Sequence, residues 1–60
     1  MMSKKKLEKE IERLYYKNGD GVQINIMNIG KVFSDCTEAY NRGEDLETAV
    51  LAAIAKYREN

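Results

Sequence analysis

Residues 21–28, GVQINIMN, are the only part of the chain with the alternation of a β-strand. Val22, Ile24 and Ile26 alternate with Gln23, Asn25 and Met27, the period-two pattern of a strand with one face buried. Everything around them carries helical spacing. A single strand limits the available folds more than any other feature, because it cannot satisfy its own backbone donors and acceptors. Its partner must come from a hairpin within the chain or from a second copy.

The flanking segments read as three amphipathic helices. In residues 3–17, Leu7, Ile11, Leu14 and Tyr15 fall at offsets 0, 4, 7 and 8, with Ser3 as N-cap. The NGDG turn at 18–21 follows, and Gly19 suits a left-handed helix end. Asn-Gly and Asp-Gly also favour hairpins, so residues 14–17 folded onto residues 22–26 is the competing arrangement. Asn28 is the expected N-cap of a helix over 29–42, where Ile29, Val32, Phe33, Cys36 and Tyr40 share one face. Gly43 terminates it. Asp45 then caps a third helix over 46–58, carrying Leu46, Ala49, Val50, Ala53, Ile54 and Tyr57. The predicted order is helix, strand, helix, helix: an N-terminal helix (1–18), a turn (19–21) and a strand-helix-helix dimerisation unit (22–60).

Sixty residues bury too little surface for a robust core without a disulfide, a metal or a partner. The one cysteine, Cys36, cannot form an internal disulfide, and histidine is absent. Self-association is therefore the expected extra source of stability, and the cysteine usage fits a reducing, cytoplasmic setting. The apolar run at 49–55 is too short to span a bilayer, and no signal peptide is visible. Formal net charge is zero but uneven: residues 1–21 hold six Lys/Arg against four Asp/Glu, residues 22–60 four against six.

Strand, helix, tight turn and helix over residues 22–60 resemble the ribbon-helix-helix family of the Arc and methionine repressors. QINIM matches its polar-apolar-polar strand, and GEDLETAV, with Gly43, Asp45, Leu46, Thr48 and Val50, matches its turn and second helix. The resemblance implies a mostly α, intertwined homodimer whose strands pair as an intermolecular two-stranded antiparallel ribbon. Val22, Ile24, Ile26, Val32, Phe33, Leu46, Val50 and Ile54 would line the dimer interface. It also implies that Gln23, Asn25 and Met27 read base edges in the major groove, and that the helix start at Asp45–Thr48 holds a phosphate. Lys4, Lys5 and Lys6 would add phosphate contacts. Replacing Gln23 or Asn25 by alanine would then leave folding almost untouched.

This sequence departs from the family pattern in two places. Met27 stands where a basic reader is expected, and Glu44, Asp45 and Glu47 crowd the phosphate position. Two functions follow: a small dimeric DNA-binding transcriptional regulator, or a small dimeric protein-binding inhibitor or adaptor of phage or mobile-element type. The second would use acidic and tyrosine-bearing surfaces, with Tyr16, which lies off the apolar stripe, as its interface aromatic. No nucleophile–base pair, Walker loop or metal-ligand spacing is present, so no enzyme activity, cofactor, metal or small-molecule substrate is expected. Cys36, on an apolar face, reads as an inert buried thiol.

Overall fold

The computed structural model describes residues 2–19 and 23–59, which form three helices: α1 (Lys4–Asn18), α2 (Ile26–Asn41) and α3 (Leu46–Tyr57). Each begins on a side-chain cap that satisfies an otherwise orphaned backbone N–H. Ser3 Oγ accepts from the Lys6 N–H at 3.3 Å, Asn25 Oδ1 from the Met27 N–H at 2.8 Å, and Asp45 Oδ2 from the Thr48 N–H at 3.0 Å. The α2–α3 turn is a Schellman closure. Gly43 (φ 86°) donates to the Tyr40 carbonyl and Glu44 to the Ala39 carbonyl, each at 3.0 Å.

The ribbon-helix-helix fold expected from the sequence is not present, because the described residues contain no strand. Ile26, Met27 and Asn28 form the first turn of α2, and the cap is Asn25 rather than Asn28. The helical stripe explains why. Ile26 and Ile29 extend the spacing of Val32, Phe33 and Cys36 back by one turn, and helix satisfies their backbone locally where a strand needs a partner. The alternation also fits an extended lead-in that ends in a capped helix. Among the described residues one antiparallel bridge remains of the strand, between Ile24 and Arg58, with the Glu59 N–H donating to the Gln23 carbonyl at 2.9 Å. The segment expected to seek another chain pairs with this chain's own C-terminal end. The competing hairpin is absent too, since residues 14–17 are helical. Val22 of the expected interface, with Asp20 and Gly21 of the turn, lies outside the described residues.

Gly19 ends α1 by a different route from the one anticipated. Its φ is −112°, not left-handed, and its N–H donates to the Tyr15 carbonyl at 2.7 Å. Glycine is needed there for closeness: an added Cβ would lie 2.8 Å from the Tyr15 carbonyl oxygen and 3.2 Å from Ile54 Cδ1.

The core draws on all three helices. Leu7, Ile11 and Leu14 of α1 meet Val32, Cys36 and Ala39 of α2 and Ala49, Val50, Ala53 and Ile54 of α3. Val32, Val50 and Ile54, expected between two chains, are thus buried within one. Phe33, Leu46 and Ile24 are partly buried against the same cluster. Helices α2 and α3 form an antiparallel hairpin, with Ala39 of α2 and Ala49 and Ala53 of α3 in the shared core. Its open end is tied by the Tyr57 hydroxyl, which donates to Asp35 Oδ2 at 2.6 Å. Helix α1 is fastened across this hairpin at both ends. The Met2 N–H donates to the Tyr40 hydroxyl at 3.3 Å, and Asn18 Nδ2 donates to Glu47 Oε2 at 3.0 Å.

Candidate interaction surface

The residues expected to contact DNA are dispersed, and several are already engaged. The Asn25 side chain is spent on capping α2, and the Gln23 carbonyl holds the C-terminal bridge. Met27 is exposed on the first turn of α2, and Lys4, Lys5 and Lys6 are exposed on the first turn of α1. Thr48 opens α3, where a phosphate was expected. There the Asp45 carboxylate accepts both the Thr48 N–H (3.0 Å) and the Thr48 hydroxyl (2.9 Å). These two bonds hold the Asp45 carboxyl below its ordinary pKa. An anion-binding helix end that already carries its own carboxylate repels a phosphate.

A different feature stands out on the other side of α2. Ile26 and Met27 are 86% and 81% exposed, and Tyr16 of α1 is 68% exposed, each large and mostly apolar. Tyr16 lines a groove of about 180 Å³ between α1 and α2, together with Ile11, Glu12, Tyr15, Ile29, Val32 and Phe33, while Ile26 and Met27 stand on the first turn of α2, N-terminal to Ile29. The Tyr15 and Tyr16 rings meet edge-to-face, centroids 5.6 Å apart, which fixes the aromatic wall. A separate cleft toward the N-terminal end of α1 shares Phe33 and is lined also by Lys4, Glu8, Ser34 and Thr37.

The surface arises because α2 is apolar around more of its circumference than the core can cover. Val32, Cys36 and Ala39 point inward, Ile29 and Phe33 lie at the edge, and Ile26, Gly30 and Met27 continue the arc into solvent. Isolated exposed apolar residues are ordinary on protein surfaces. Here three large ones, Tyr16, Ile26 and Met27, belong to α1 and the first turn of α2, the two helices that enclose the aromatic-lined groove.

Sequence reading singled out Tyr16 but missed the groove. The sequence pattern puts Ile26 in a strand interior and Ile29 and Phe33 on a buried stripe; in the structure α2 starts at Ile26, which is exposed, and Ile29 and Phe33 are half-buried at the groove. The signal was present in their spacing at offsets 0, 3 and 7, which runs straight through the predicted strand–helix boundary.

The remaining chemistry is sparse. Cys36 is fully buried, and burial, helped by the nearby Asp35 charge, pushes its thiol up to about 11. Among the described residues no His/Cys/Asp/Glu group is arranged to hold a metal, and no helix is long and apolar enough to cross a membrane. A second groove, between α2 and α3, is floored by Ala39, Ala49, Ala52 and Ala53 and rimmed by charges of both signs, including Asp35, Glu38, Arg42 and Lys56. No protein-family model, curated protein sequence or solved structure matches the chain.

Proposed function

We propose that this protein is a small non-enzymatic protein-interaction module that acts by docking another polypeptide on its α1–α2 face. The observation that carries this reading is a groove walled by Tyr15, Tyr16, Ile29 and Phe33, with Tyr16 strongly exposed and the equally exposed Ile26 and Met27 on the turn of α2 that precedes it. Aromatic and methionine side chains around a concave apolar site are the residue types that concentrate binding energy at protein interfaces. DNA binding has less support: Asn25 is committed to a cap, the start of α3 carries its own carboxylate, and formal net charge is zero.

The reading is tested by placing a photo-crosslinking phenylalanine analogue at Tyr16 or Met27, and as a control at the exposed Ala52 of α3, in cells that naturally carry the gene. Discrete protein adducts from positions 16 and 27, with none from 52, are the expected outcome. Equal labelling at all three positions, or none, would overturn it.

A further inference from the structure

We infer that the α1–α2 face is filled by a second copy of the same chain, the two α2 helices crossing at Gly30 about a two-fold axis. The inference rests on the docking role proposed for this face and names its occupant. Gly30 is the first reason. It sits inside α2 between Ile26/Met27 and Phe33, it is exposed, and no neighbouring atom lies within 4 Å of where its Cβ would be. Glycine within a helix is destabilising relative to alanine, and nothing inside one chain requires it here. A missing side chain at the centre of an apolar patch lets another backbone approach closely.

The layout of the patch is the second reason. Its most exposed knobs, Ile26 and Met27, lie on the N-terminal side of Gly30, while Phe33 lies on the C-terminal side with Tyr16 and Ile29 along the groove. A two-fold axis at Gly30 sets Ile26 and Met27 of each copy against the Phe33 side of the other copy's α2. Self-complementarity of this kind is what an isologous interface requires.

Area and charge agree. The chain exposes 4472 Å². A compact monomer of 6.9 kDa is expected to expose roughly 4,000 Å², and a standard interface removes about 800 Å² per partner. The excess is of the order that a small dimer contact removes. Zero formal net charge gives two copies no mutual repulsion, and the residues bordering the two clefts bear both signs, with Glu8, Glu12 and Lys4 on α1. Nothing there selects a strongly charged partner over a second copy.

Sedimentation velocity on the purified full chain, from low micromolar to near-millimolar concentration, tests the inference. A reversible monomer–dimer transition is expected, weakened about tenfold or more by Ile26→Glu and by Met27→Glu while helical circular dichroism is unchanged. Gly30→Cys should form an interchain disulfide under mild oxidation, whereas Ala52→Cys should not; the buried Cys36 stays silent in both. A wild-type chain that remains monomeric throughout, or a dimer indifferent to both glutamates, would overturn the inference. Failure of the dimer is distinguishable from failure of the docking role. A monomer that still crosslinks another protein from positions 16 and 27 removes only the second copy, and one that crosslinks nothing removes both.

Discussion

Three glycines with different surroundings show how single residues set the fold. Gly43 adopts φ 86°, a conformation that costs an L-residue about 1–2 kcal/mol, so Gly43→Ala should lower unfolding stability by roughly 1 kcal/mol in a urea titration. Gly30 has ordinary helical surroundings and open space. Gly30→Ala should therefore raise the stability of the dissociated chain by about 0.8–1 kcal/mol when measured at low concentration. Gly19 is fixed by contact instead of φ, since any Cβ there meets the Tyr15 carbonyl and Ile54. Cys36 offers a third readout. With its thiol pushed up to about 11, its alkylation at neutral pH should be slow and should follow global unfolding. Fast alkylation of the native chain would show that the core is open.

At the scale of elements, caps decide where helices begin, and one cap decides the fold. Asn25→Ala removes the acceptor for the Met27 N–H and should cost about 1 kcal/mol of stability. A reader of bases pointing into solvent would lose nothing, so the same substitution separates a capped helix from a ribbon. Asp45 supplies a pH dependence of known sign. Its folded carboxyl lies below its ordinary pKa because the Thr48 N–H and hydroxyl favour the charged form. Its stabilising contribution is therefore complete above the ordinary range near 3.9 and is lost as pH falls through the lowered value. Glu47, lowered chiefly by its bond from Asn18, acts in the same direction. Thermal melts of Asp45→Asn should accordingly show a shallower loss of stability in acid than the native chain. The positions of α1 and α3, the caps Ser3 and Asp45 and the glycine stop at Gly43 were legible in the sequence, because caps and 3.6-residue spacing are local signals. The start of α2 was not. Val22, Ile24 and Ile26 satisfy period two, while Ile26, Ile29 and Phe33 satisfy the helical period, and sequence alone does not choose between them. Tertiary context does: the lead-in finds its partner at Arg58 and Glu59, a contact between distant parts of the chain that no local pattern announces.

At the scale of the whole molecule, the three helices close a core within one chain and leave one apolar face uncovered. A fold of this size holds only a few kcal/mol of net stability, so an uncovered face is a place where association adds to it. Substitutions on that face should split from those in the core. Val50→Ala, at a fully buried site, should lower stability at every concentration through the cavity it leaves. Ile26→Glu should lower it only where copies or partners are present. The most direct measurement is an amide chemical-shift map of the purified chain recorded from dilute to concentrated solution. Shifts confined to Tyr16, Ile26, Met27, Gly30 and Phe33, with Val50 and Ala53 unmoved, are the expected result. Spectra that stay superimposable, or shifts that gather on α3 instead, would contradict a docking role for the α1–α2 face in self-association.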